Sequence, residues 1–188
     1  MPRLIAALLL IAATSASSGC LVLSLSPSYD EAALGWDPNL IGVWESSDDK
    51  ATVQIDRGEW KSYRIHYVHP IETGDLTGYL TMIGNQRYLD VTPVRGADPG
   101  SFLIPVHALL HVRLDADRLD LTPLSYDWFA DQLRSRRAIP SLSVVLDQKQ
   151  NALIVSPADR LRAWVGLQSV DAPAFGASAT FTRKRQDR

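Results

Sequence analysis

A single cysteine, Cys20, is all the thiol chemistry in this chain of 188 residues. That scarcity excludes a disulfide-stapled framework and a zinc finger built on cysteine pairs. A surplus of one charge is missing too: 19 Lys and Arg oppose 21 Asp and Glu, leaving a net charge of −2. No broad attraction to nucleic acid is therefore encoded. The chain has one long apolar run, of ten residues, where a multi-pass membrane protein needs several of about 20. Fixed-period repeats, heptads and low-complexity tracts are absent as well. What remains is a chain 46 % hydrophobic and 21 % charged, a composition that fits one folded domain.

The apolar run occupies residues 4–13, Arg3 is the one charge before it, and small residues continue to Gly19. A positive start, a short apolar stretch and small residues make a secretory signal. Ten helical residues rise about 15 Å, half the hydrocarbon thickness, so the run alone is too short to span a bilayer. The tetrapeptide Ser17-Ser18-Gly19-Cys20 resembles the lipobox of bacterial lipoproteins. That resemblance implies cleavage between Gly19 and Cys20, a diacylglycerol on the cysteine sulfur, and acylation of the new amine. The residue types suit the chemistry, because small side chains let an extended backbone enter a peptidase groove and the thiol supplies the nucleophilic sulfur. Two other readings stay open: an ordinary secreted chain cut near Ala16, and an uncleaved anchor over residues 4–25.

In the lipoprotein reading, residues 1–19 are the signal peptide, 20–39 the lipidated cysteine and a tether that docks onto the domain, and 40–188 the domain. The mature chain then has 169 residues and a net charge of −3, since Arg3 leaves with the signal and no acid does. Two or three acyl chains would make the anchor effectively permanent. Leu21, rather than Asp, follows the cysteine. Similarity to sorted lipoproteins then implies the periplasmic face of the outer membrane where the host has two membranes.

After residue 40 the pattern is mostly that of strands, expected at 41–46, 51–57, 60–68, 76–83, 86–92, 108–114, 119–121, 142–146, 152–155 and 177–184. In the second, Val53 and Ile55 alternate with Thr52, Gln54 and Asp56. Gly84-Asn85 suits a primed hairpin turn. Two helices interrupt the series. Ser125 is the expected cap of one running from Tyr126 to about Arg136, and Ser156-Pro157 the expected start of the other, with Leu161, Trp164 and Val165 on its buried stripe. Closing an antiparallel meander removes its sticky edges. The expected fold is mainly β, an up-and-down antiparallel barrel of about 8–10 strands with two short helices.

Gly42-Val43-Trp44 on the first barrel strand resembles the G-x-W of the lipocalin and calycin group. In that group an Arg on the last strand lies across the Trp face, and Arg183 in Thr180-Phe181-Thr182-Arg183 matches the position. The resemblance implies a structural plug of Gly42, Trp44 and Arg183 at the barrel's closed end, held by a cation–π contact. Residues 103–129 are also similar to a recurring type of uncharacterised bacterial envelope lipoprotein, a resemblance that implies no activity.

The residues offer little chemistry. His107 and His111 lie four apart, which on a strand puts them on one face but roughly 13 Å apart, too far to share an ion. His66 and His69 point to opposite faces if one strand holds both. No metal site and no cofactor are expected; P-loop, dinucleotide, EF-hand and G-x-S-x-G patterns are missing. Asp48, Asp49, Asp115, Asp117 and Asp120 cluster in turns, where carboxylates are solvated or capping. Trp36, Trp44, Trp60, Trp128 and Trp164 read as core filling or pocket lining. Arg183, Lys184, Arg185 and Arg188 form a basic end that reads as a solvated tail or a weak contact for anionic headgroups.

The expectation is a non-enzymatic envelope lipoprotein whose barrel binds a small apolar or amphipathic ligand, or lipid, with the membrane held through acylated Cys20. The alternative is a partner or assembly protein of the envelope that works through a barrel rim or the helix starting at Tyr126. A hydrolase-like enzyme built on inward side chains is the third reading. A filled barrel would favour the partner role and an apolar cavity the ligand role.

Overall fold

The computed structural model describes residues 21–46, 48–94 and 104–185. Gly19 and Cys20, and with them the cleavage and lipid-attachment expectations, lie outside the described residues. Along the chain come β1 (Val22–Ser24), β2 (Gly42–Glu45), β3 (Thr52–Arg57), β4 (Ser62–His69), β5 (Glu72–Ile83), β6 (Gln86–Pro93), β7 (Ala108–Asp115) and β8 (Arg118–Pro123). Helix α1 (Tyr126–Arg134), β9 (Val144–Leu146), β10 (Ala152–Ile154), helix α2 (Ala158–Gly166) and β11 (Ala179–Arg183) complete it. Eight strands close a barrel in the order β11-β2-β3-β4-β5-β6-β7-β8, with every pairing antiparallel.

Alternation explains the wall. On β3, Val53 and Ile55 are buried and Gln54 is exposed; on β4, Tyr63 and Ile65 are buried between exposed Arg64 and His66. Burying one side-chain row per strand gives a single apolar lumen once the sheet closes. The β5–β6 hairpin turns through Gly84 and Asn85 with Ile83 opposite Gln86, and of the two residues Gly84 takes the left-handed conformation, at φ 61°.

The segments expected at 142–146 and 152–155 form strands but leave the meander. They are β9 and β10, and they make a separate sheet with β1, which pairs parallel to β10. The barrel closes without them because β11 pairs directly with β8, through four residue pairs from Ala179–Leu121 to Thr182–Arg118. The excursion between β8 and β11 packs instead on the barrel's outer wall. There Tyr88 and Leu109 join Val22, Phe129, Ile154, Leu161, Trp164 and Phe175 in a second apolar core.

Helix α1 begins at its expected cap, the Ser125 hydroxyl accepting from the Trp128 amide at 3.3 Å. Helix α2 does not. Pro157 occupies the cap position without a side-chain bond, and Ser156 Oγ instead accepts from the Ser143 amide at 2.7 Å. That partly buried amide needs an acceptor, and filling it ties the approach to β9 onto the start of α2.

Residues 21–41 run as a strap along the barrel. Ser24 bridges to His107, Leu34 bridges to Thr81, and the Gly35 amide donates to Leu80 O. The strap is docked over its length because Val22, Leu34 and Leu40 are buried. Midway, Asp90 Oδ2 accepts from both the amide and the hydroxyl of Ser28 at 2.6 Å, and Asp90 Oδ1 lies 2.7 Å from His107 Nδ1. Asp90 is 0 % exposed, so these partners replace its lost water. Ser28 donates to the carboxylate and not to an imidazole, so this trio is a clamp on the strap and not a nucleophile with its base.

Candidate functional site: the apolar cavity of the barrel

The two ends of the lumen differ. At one end lie the β3–β4, β5–β6 and β7–β8 connections and the end of β11; this end is filled. Trp44 is fully buried and its indole Nε1 donates to Leu40 O at 2.9 Å. The Arg183 guanidinium sits 4.1 Å from the Trp44 ring centre and donates to Ile41 O at 2.7 Å and Asn39 O at 2.5 Å. Gly42 makes that approach possible, because a Cβ there would lie 2.5 Å from Arg183 Nη1, and its φ of 150° suits glycine. Gly42, Trp44 and Arg183 are thus brought together at the closed end.

The strap completes this floor. Trp36 stacks on Tyr63 at 4.4 Å, and Arg57 lies 5.6 Å from the Trp36 centre. The Tyr63 hydroxyl accepts from the Asp37 amide and donates to Asp37 O, while Arg87 pairs with Asp37 at 2.8 Å.

Toward the other end the same apolar rows stop short of the axis and leave a cavity of about 490 Å³. Val53, Ile55, Ile65, Leu76, Leu89, Val91, Ala108, Leu110, Leu121 and Phe181 supply its wall. Polar groups come at its outer part: Tyr67, His69 and Glu72, from β4 and the start of β5. Burial pushes the Tyr67 phenol above its ordinary 10.0, and the nearby Glu72 charge adds to the shift, so Tyr67 carries a neutral O–H at neutral pH. The arrangement has an apolar chamber and a polar threshold, which is chemistry for holding an apolar tail and leaving a polar head near water.

Leu21 and Leu23 also line the cavity, whereas Val22 between them enters the outer core. The short β1 therefore separates two apolar regions by the side-chain alternation of a strand. A three-residue strand paired in parallel to β10, about 130 residues away, has no local sequence signature; the tether residues more apolar than a free linker needs are Tyr29, Leu34 and Trp36, further along.

The other candidate residues scatter. His107 meets Asp90, His111 Nε2 donates to Gln86 Oε1 at 3.1 Å, and His66 Nδ1 lies 2.8 Å from Asp75 on the surface. Among the described residues no group of His, Cys, Asp and Glu is placed to hold a metal ion. Asp49 caps the Ala51 amide, and Asp120 accepts from Arg118 and Thr180. Of the five Trp, Trp60 contradicts the core or pocket reading, being 62 % exposed at the β3–β4 turn, where no apolar surface covers it. Trp44 and Trp164 are buried, and Trp36 and Trp128 pack against the two cores. The basic end is engaged further than a solvated tail: Arg183 stacks, Lys184 pairs with Glu45 at 2.6 Å, and Arg185 reaches Asp117 at 3.8 Å, with Arg188 outside the described residues.

A scan of protein-family models, a search of curated proteins and a search of solved structures each return no significant match to this chain.

Proposed function

We propose that this chain is a lipid-anchored protein of the bacterial envelope that binds a small amphipathic molecule, with one apolar chain, in the open half of its barrel. The observation that carries the reading is the cavity of about 490 Å³, which falls within the range of about 300–1,000 Å³ common for ligand pockets. Its wall offers almost entirely aliphatic and aromatic carbon. Tyr67, His69 and Glu72 at the threshold suit a polar headgroup better than a purely hydrocarbon ligand. The envelope location rests on the signal-like residues 1–19 and the lipobox-like placement of Cys20.

Titration with a naturally fluorescent polyene fatty acid tests the binding reading. The wild-type chain is expected to give saturable emission. Ala108→Trp, which pushes an indole into the cavity, is expected to weaken binding at least tenfold while circular dichroism stays unchanged. Saturable binding of equal strength in both chains would disprove the cavity as the site. Native mass of the protein taken gently from its membrane checks the rest, through added mass on the N-terminal peptide and a co-purifying small molecule.

A further inference from the structure

We infer that the open end of the barrel is the face that rests on the membrane, so that an amphiphile passes between bilayer and cavity without crossing water. The inference rests on the binding reading above and adds to it a surface and a route. Exposed large apolar side chains gather around this mouth: Leu21 is 54 % exposed, Val68 41 %, Ile71 80 %, Val94 52 % and Ile104 69 %. Leu21 and Val68 line the cavity themselves. Ile71 occupies the turn between the lining residues His69 and Glu72, Val94 follows the lining Pro93, and Ile104 comes two residues before the lining Val106. At the closed end the turns present Asn85, Asp115, Asp117 and Arg118, all exposed, and a single exposed large apolar side chain, Trp60 at 62 %. A cluster of exposed apolar side chains framing one mouth marks a contact surface for something apolar.

The place where the strap begins says what that something is. The Leu21 amide donates to Asn151 Oδ1 at 3.0 Å and Leu21 O accepts from the Ala152 amide at 3.0 Å, so residue 21 is pinned beside the cavity. Cys20 is one Cα step away, about 3.8 Å. Acyl chains on Cys20 therefore insert next to the mouth, with no slack tether between bilayer and barrel. Charge does not supply the contact, since the turns at this end carry Asp48, Asp49 and Lys50, and Glu72 besides. The surface accordingly fits neutral or zwitterionic headgroups, and added salt leaves the contact unchanged.

The test uses the full chain, matured in its host and reconstituted in phosphatidylcholine vesicles, with the Cys20→Ala chain in buffer as the free reference. Hydrogen exchange is expected to slow at least fivefold over residues 66–73 and 104–108 on vesicles, and to stay unchanged over the closed-end turns 58–61 and 115–118. The double variant Ile71→Asp, Ile104→Asp removes apolar rim without touching a packed side chain. It is expected to take up the polyene fatty acid from vesicles about tenfold more slowly while binding it from water within twofold of wild type. Unchanged exchange at the rim, or unchanged uptake in the variant, overturns the membrane-facing mouth and leaves the binding reading standing. Absence of fatty-acid binding in every chain overturns both. If the N-terminal peptide carries no added mass, the uptake comparison on the unanchored chains still decides, equal rates overturning the inference and slower uptake by the variant supporting it. A slowing of uptake that appears only when another envelope protein is present would make the rim a protein contact and overturn the inference.

Discussion

Leu119 and Leu121 sit two residues apart on β8, face the same lumen, and live in different environments. Leu119 is fully buried in the closed half, near Trp44 and the strap; Leu121 lines the cavity and is half-buried. One strand with one alternation thus serves both a filled half and an empty half. The difference comes from what covers the ends. At the closed end the strap supplies Trp36 and Leu40, and Arg183 lies over Trp44. At the open end Leu21 and Leu23 approach from one side and leave the chamber vacant. A barrel of eight strands is near the size at which side chains just fill the interior, so a few large residues decide which half is solid.

The contrast can be broken most severely at Trp44. Trp44→Ala removes a wholly buried indole and is expected to cost about 3–5 kcal/mol in denaturant unfolding, with the cavity losing its floor. The pair on β8 sharpens the comparison: Leu119→Ala is expected near 4 kcal/mol and Leu121→Ala near 2 kcal/mol, because the second enlarges a space that already exists. Equal losses would mean that the open half is packed like the closed one. Arg183→Lys keeps the charge but gives up the planar stack and the fork to Ile41 O and Asn39 O, for an expected loss of about 2 kcal/mol. Trp fluorescence should report the exposed indole face.

The smallest effect concerns pH. Burial raises the Asp120 pKa, but hydrogen bonds from Thr180 and Arg118 outweigh it and hold the carboxyl below its ordinary 3.8. A depressed carboxyl stabilises the fold above its unfolded value, and that contribution fades as pH falls through the folded value. Asp120→Asn should therefore flatten the acid limb of stability by roughly 1 kcal/mol or less, as expected for a clamp whose Arg118 is largely exposed. His111 acts in a separate window. Burial, then Arg87 and Arg113, lowers it from 6.5, so stability should drop as pH falls below about 6.5, and His111→Gln should remove that step. Because both groups face outward, Asp120→Asn and His111→Gln should leave fatty-acid affinity at neutral pH unchanged; a loss of affinity in either variant would couple the outer wall to the cavity that the packing separates from it.

Most strands were legible because alternation is local. Val53 and Ile55 against Gln54 announce a strand face whatever its partner, and Gly84-Asn85 announces a hairpin. The cap at Ser125 was equally local, a hydroxyl three residues before the amide that it fills. Ser156 was misread for the opposite reason, since its hydroxyl goes to Ser143, thirteen residues upstream. Asp90 on β6 is fully buried because Ser28 of the strap and His107 cover it. Nothing in the neighbourhood of either residue states that a distant segment will arrive.

By itself the sequence determined the class of fold, most strands of the barrel and its two helices, since each depends on spacing along a short stretch; the meeting of Gly42, Trp44 and Arg183 was implied only by a resemblance, because Arg183 stands on the last strand and Trp44 on the first of the barrel. Tertiary structure decided that β9 and β10 leave the meander and that β1 runs beside β10. It also decided that one half of the lumen is solid while the other holds a cavity beside Leu21 and Leu23. Those outcomes depend on which distant segments cover which end, and volume left over between side chains is a sum across the whole barrel that no local pattern records.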